Sequence, residues 1–226
     1  MARAARLPAS ERKRRIIESA RAVFAGSNYS KAGTAELAKA AGVSEPALYR
    51  HFASKKDLFL ATLRSSAPDL LALWERVAGD VEDPLETLWH IGLQYYDHLR
   101  SRSDVMKLNF QALSEVEDGN IRDVLRENFG AYVQFFRETL EEGKARGIVC
   151  ADLDTEVVAW QFLGMGFTLD LIHLLGFDEE VDRAKVEQWL RLFLKAIREK
   201  RQDGSRREYA LPGAMPWREP PGEGYL

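Results

Sequence analysis

The stretch from Gly33 to Lys55 reads GTAELAKAAGVSEPALYRHFASK. Leu37, Ala38 and Ala41 fall on one face at helical spacing, which predicts a short helix. Gly42 ends it, because glycine enters the left-handed cap region without steric cost. Val43 is an apolar plug in the turn. Ser44 is placed to cap the next helix by accepting a bond from a free amide. Pro46 stands in that helix's first turn, where a missing N–H does no harm. Leu48 and Phe52 then face inward, while Tyr49, Arg50 and His51 face elsewhere. Two short helices joined by a tight turn, with a third beginning beyond them, form the pattern of a helix-turn-helix. The second helix of such a motif can enter a DNA major groove.

These residues resemble the TetR family of transcriptional regulators. That family's pattern of an AGVS turn, LYxHF and SKxxL stands here as Ala41-Gly42-Val43-Ser44, Leu48-Tyr49-Arg50-His51-Phe52 and Ser54-Lys55-Lys56-Asp57-Leu58. The match covers roughly residues 10 to 64 and is specific, because several constrained positions agree at fixed spacing. One departure is Gly33, where the family usually has Thr or Ser four residues before the Leu37 position. Thr34, next door, is the candidate to take over that polar contact.

Outward from the motif, the reading is all-helical, with about nine helices and no convincing strand. Ile16, Ile17, Ala20, Val23 and Phe24 mark a first helix over about 10–26, which Ser10 can cap. Residues 1–9 read as a basic disordered arm. The helix-turn-helix domain is expected over 10–64, a helical effector-binding and dimerisation domain over 65–200, and a Gly/Pro-rich tail over 201–226, with disorder as its default reading. Ser54 and Asp57 make a capping-box-like start for the fourth helix. Asp83-Pro84-Leu85-Glu86 is a strong start for the fifth. Further helices are expected over about 103–115, from the turn at Asp118-Gly119-Asn120 to about Ala145, from Asp154 to Leu175, and over about 179–199.

The net charge of −3 hides an asymmetry. Residues 1–64 hold 13 basic and 5 acidic side chains, net +8, and the remaining 162 residues are net −11. A basic end on an acidic body suits a protein that presents one end to a polyanion. No apolar run approaches the roughly 18 residues needed to span a bilayer, and no secretory signal is visible, so a cytoplasmic location is expected, with no membrane partner. The single cysteine, Cys150, excludes an internal disulfide. The four histidines show no metal-ligand spacing, and no GxSxG, P-loop or dinucleotide fingerprint is present. No enzyme activity, cofactor, metal site or catalytic residue is expected.

Phosphate contacts position a helix-turn-helix and base contacts specify its sequence. Tyr49 and Lys55 are candidates for phosphate, since the matching family positions typically bind backbone. His51 and Thr34 stand second. Ser44, Glu45, Pro46, Ala47 and Arg50 lie on the leading part of the reading helix. Arg50 can donate two bonds to guanine, Glu45 can accept from cytosine, and Pro46 and Ala47 can touch a thymine methyl. Glu45 alternatively orients Arg50 or Lys39.

A lone motif covers few base pairs, so a two-fold homodimer on a palindromic, double-stranded operator is expected. The resemblance implies a four-helix seam from the eighth and ninth helices, with Val158, Phe162, Met165, Leu169, Ile172, Trp189, Phe193 and Ile197 as candidates. It also implies a small-molecule site among the middle helices. Tyr96, Phe110, Phe129, Tyr132, Phe136 and Phe167 are its candidate lining, suited to an apolar effector such as a fatty acid, an acyl-CoA or a flat aromatic compound. The expected function is a repressor released from its operator by that effector. An effector-independent regulator or activator of the same fold stays open, as does a helical binding protein or enzyme without a DNA target.

Overall fold

The computed structural model describes residues 8–27, 29–99 and 103–199. Residues 1–7 of the arm expected over 1–9, and the tail expected over 201–226, lie outside the described residues. Nine helices are present among the described residues: α1 (Ala9–Ser27), α2 (Thr34–Ala40), α3 (Glu45–Tyr49), α4 (Lys55–Asp80), α5 (Pro84–Asp97), α6 (Ser103–Ser114), α7 (Gly119–Ala145), α8 (Thr155–Leu175) and α9 (Arg183–Ile197). The caps follow the chemistry of the sequence. Ser44 accepts from the Ala47 amide at 3.3 Å, Ser54 from Asp57 at 3.0 Å, and Asp83 from Leu85 at 2.7 Å. Asp154 accepts from Glu156 at 2.9 Å and from Val157 at 3.2 Å. Gly42 adopts φ 64°, the left-handed conformation its turn requires. The ninth helix begins at Arg183 rather than near 179, because Asp182 caps it by accepting from the Lys185 amide at 3.0 Å.

The described residues divide into two compact units, one within 1–70 and 102–131 and the other within 71–101 and 132–226. The boundary expected at 64/65 is therefore too simple. The first unit recruits α6 and the start of α7: Leu108, Ala112, Ile121 and Val124 join Ile16, Phe24, Leu37, Leu48, Phe52, Phe59 and Leu63 in one buried core. Phe24 meets Phe59 edge-on at 5.0 Å between centroids. Each such side chain contributes about 1.5–3 kcal/mol by leaving water. The buried Asn128 amide donates to the Leu63 carbonyl at 2.9 Å and fastens α7 to α4 within this unit. Ala32 ahead of α2, Leu37 of α2 and Leu48 of α3 are buried in the same core. Pro68 lies inside α4, where it withholds one helical hydrogen bond.

In the second unit, α5 packs on α9 and α8. Gly92 allows close approach, since a Cβ there would stand 2.6 Å from Cδ2 of the buried Leu190. Trp74 packs against Tyr132, Phe135 and Phe136 at 4.6–5.6 Å, and Phe136 continues through Phe162 to Phe193. The end of α9 is tied back by an isolated antiparallel bridge, Val149 with Arg198, and by an Arg198–Asp83 ion pair at 3.6 Å. Asp170, buried in the apolar α8, accepts a hydrogen bond from the Tyr95 hydroxyl at 2.7 Å.

Two expectations about α8 need correction. It is long and apolar enough to cross a membrane by length and composition, the one such helix among the described residues. The eye misses this in the sequence because Gln161, Gly164, Gly166, Thr168 and Asp170 interrupt the run. The helix is also apolar on two faces, and the candidates for the subunit seam fall mostly on the inner one. Val158, Phe162, Met165 and Leu169 are buried in their own chain, as is Ile197 of α9, while Ile172, Trp189 and Phe193 are half-buried. Val157, Trp160, Leu171 and Leu175 make the outer stripe, from 45% to 68% exposed. Periodicity reveals both stripes but not which one faces the core.

Candidate nucleic-acid interface

The nine candidate contact residues all lie in the first unit, on α2, the turn into α3, α3, the turn after it and the start of α4. Leu48 and Phe52, at 3% and 5% exposure, anchor the five-residue α3 in the core. That anchoring leaves Ser44, Pro46, Tyr49 and Arg50 exposed, with Tyr49 at 47%. Ala47 and His51 are half-buried. Ser44 uses its hydroxyl oxygen on the cap, so it offers a phosphate only its donor side. No ion pair engages Arg50 among the described residues, which leaves its five-donor fork available to a base or a phosphate.

Two candidates have internal tasks that the sequence did not show. The Thr34 hydroxyl donates to Oε2 of Glu45 at 2.9 Å, joining the first residue of α2 to the first residue of α3. Of the roles open to Glu45, orientation of Arg50 or Lys39 has no ion pair behind it among the described residues. The Lys55 ammonium donates to the carbonyls of Ser30 and Ala32 at 3.2 and 3.1 Å and lies 5.0 Å from the centre of the Tyr29 ring. An ammonium has three donors, so one remains for a phosphate. Tyr29 packs on Phe59 at 4.6 Å, and burial pushes its hydroxyl pKa up. Its contact with Lys55 had no signal in the sequence, because the two residues stand 26 positions apart.

The net +8 over 1–64 already includes Glu11 and Glu18, and Asp69, Asp118 and Glu127 of the same unit lower the positive charge further. Arg14 pairs with Glu11 and Glu18, Arg15 with Glu11, Arg21 with Asp69, Lys56 with Asp118 and Arg64 with Glu127. The Arg14 guanidinium holds the Glu11 carboxyl below its ordinary range, and Lys56 does the same for Asp118. Much of the basic charge on α1 and α4 is thus neutralised locally. Arg50 and Lys39, exposed beside the reading helix, carry proportionally more of the attraction for a polyanion.

The six candidate effector residues are divided between the units. Phe110 stands on α6, and Phe129 packs against the core of the first unit. Tyr132 and Phe136 are buried in the Trp74 cluster of the second. Tyr96 and Phe167, also in the second, are half-buried, and the Tyr96 hydroxyl reaches the Val181 carbonyl at 3.4 Å. A recess of about 380 Å³ in the second unit is lined by Val81, Glu82, Pro84, Thr139, Glu142 and Arg146, and by none of those six. Asp170 and Tyr95 are the polar pair that sequence reading missed; an acidic residue inside an otherwise apolar helix was the available signal.

Residues 16–62 match the model of bacterial regulatory proteins of the tetR family. Among relatives, a probable acrEF/envCD operon repressor of Escherichia coli K12 is 29% identical over 203 residues, covering 86% of this chain and 92% of the relative. The nucleoid occlusion factor SlmA of Vibrio atlanticus is 30% identical, covering 69% and 80%. Among solved structures, the transcriptional regulator FadR of Bacillus subtilis, in complex with stearoyl-CoA, shares the fold with a TM-score of 0.67 at 21% identity, covering 81% of this chain and 98% of that one. Regulators of this family bind DNA and dimerise, and they are not enzymes. With the exposed reading edge of α3, the core that holds it and the match over 16–62 together, the chain belongs to the tetR family of bacterial regulatory proteins and is a DNA-binding transcriptional regulator.

Proposed function

We propose that the protein is a repressor that binds a palindromic operator as a homodimer and leaves it when a largely apolar small molecule enters the second unit. The observation that carries this reading is the anchored α3, whose buried Leu48 and Phe52 leave Tyr49 and Arg50 outward. Tyr49 and the remaining donor of Lys55 take phosphates, with His51 and Ser44 beside them. Arg50, Pro46 and Ala47 face base edges. The seam between subunits is the outer stripe of α8, Val157, Trp160, Leu171 and Leu175, with the 62%-exposed Leu192 of α9. Cytoplasmic residence follows from that role.

The effector site is assigned to Tyr96, Tyr132, Phe136 and Phe167, the four candidates within one unit, with the Tyr95–Asp170 pair as its polar end. An acyl chain and a flat aromatic compound both fit that chemistry, and the stearoyl-CoA bound by the Bacillus subtilis regulator supports the acyl reading. Helix α4 runs from the reading unit into the effector unit and is the element through which occupancy changes operator affinity. An effector does so only by binding the two states unequally.

The test is fluorescence anisotropy on a duplex selected by the protein itself, titrated with stearoyl-CoA, palmitate and a flat polycyclic aromatic. The expected result is at least a tenfold loss of affinity with one of these classes, a coupling of about 1.4 kcal/mol. Unchanged affinity with all three, and no bound small molecule in the native mass spectrum of purified protein, overturns the effector reading.

A further inference from the structure

The geometry points to Glu45 as a specificity-determining residue that demands cytosine at one position of each half-site, with Thr34 as the positioning residue that holds it. This rests on the reading of α3 as the groove-facing helix.

The argument begins with a misfit. A carboxylate on the leading turn of a helix that approaches a polyanion is repelled by every flanking phosphate. No ion pair neutralises Glu45 among the described residues. Its neighbour across the turn is a hydroxyl: Thr34 Oγ1 donates to Oε2 at 2.9 Å. The cap position of α2 is Gly33, which makes no side-chain cap bond, and Thr34 is the first residue of the helix.

Holding Oε2 leaves Oε1 as the free acceptor and removes most of the rotamer freedom of a long side chain. In the major groove an acceptor-only group needs a donor. Guanine presents N7 and O6, both acceptors, and thymine presents O4. Adenine offers N6 but sets N7 beside it. Cytosine presents its N4 amino group with no groove acceptor on its own base, leaving one neighbouring acceptor, guanine O6 across the pair, where adenine N6 has two. The same charge that costs general affinity thus becomes selective, because a duplex with cytosine at that place offsets it best.

The experiment is selection from a pool of randomised duplexes, followed by affinity measurements on single-base variants of the selected site. Full-length wild type, Glu45→Ala, Thr34→Val and Thr34→Ser are compared. Wild type is expected to prefer cytosine by roughly ten- to hundredfold at one position per half-site. Glu45→Ala abolishes that preference, raises affinity for unrelated duplex and leaves the other positions unchanged. Thr34→Val reduces the preference about threefold to tenfold at that position alone, and Thr34→Ser restores it. An even loss across all sequences for Thr34→Val, with a shallower salt dependence, makes Thr34 a phosphate contact and overturns the inference. So does a selected inverted repeat whose cytosine preference survives Glu45→Ala. Failure of wild type to enrich any sequence would instead contradict the DNA-binding reading itself.

Discussion

Lys55→Met separates the two jobs assigned to one ammonium. In the structure Nζ donates to the Ser30 carbonyl at 3.2 Å, an exposed bond, and to the Ala32 carbonyl at 3.1 Å, a partly buried one. A hydrogen bond to a charged group is worth about 1.5–3 kcal/mol net when shielded, and much less when water competes. The Tyr29 contact at 5.0 Å adds about 0.5 kcal/mol. Methionine keeps most of the methylene stem, and freeing the ordered lysine returns part of its rotamer entropy. The expected net loss is about 1–2 kcal/mol in urea unfolding of the DNA-free protein. If the third donor also meets a phosphate, the slope of log K against log salt falls by about 0.9 per subunit. Unchanged stability with the whole slope change would refute the structural role. A stability loss with an unchanged slope would refute the phosphate contact.

Gly92→Ala places a methyl 2.6 Å from Leu190 Cδ2. Overpacking of about 1–3 kcal/mol opposes a helix-propensity gain of about 1 kcal/mol, so a net loss of up to about 2 kcal/mol is expected in denaturant unfolding. In Leu190→Ala the same Gly92→Ala change should become neutral or stabilising, since the clash is gone; additivity of the two changes would contradict the packing described. Burial lowers the pKa of His90 below its ordinary 6.5. The unfolded chain then binds more protons below that pH, so stability falls as pH drops through 6.5 towards the folded value. His90→Gln should remove this part of the pH dependence, and an unchanged urea-midpoint profile between pH 7 and 5 would count against it.

Much of the reading unit was legible because its signals are local. Gly42, Ser44, Pro46 and the spacing of Leu37, Leu48 and Phe52 each constrain a turn or a face within a few residues, and the structure places them as read. What escaped was set by partners distant in sequence. The recruitment of Leu108, Ile121 and Val124 into the first core, and the meeting of Lys55 with Tyr29, depend on packing that no short window encodes. The division of α8 into an inner and an outer stripe escaped for a different reason. A helix apolar on two faces carries no marker of its inner one, and burial is what separates Val158, at 5% exposure, from Val157, at 52%. The aromatic candidates were legible as bulky rings but not as members of one unit or the other, which divides Phe110 and Phe129 from the remaining four.

The most direct test of the central claim is the stoichiometry and symmetry of the site that the protein selects from randomised duplex DNA. The account requires two chains per duplex on an inverted repeat with half-site centres about one helical turn, roughly 34–36 Å, or a multiple of it apart, and loss of that complex in the Tyr49→Ala, Arg50→Ala double variant. Enrichment of no repeat, or a complex that survives removal of both side chains, would contradict it.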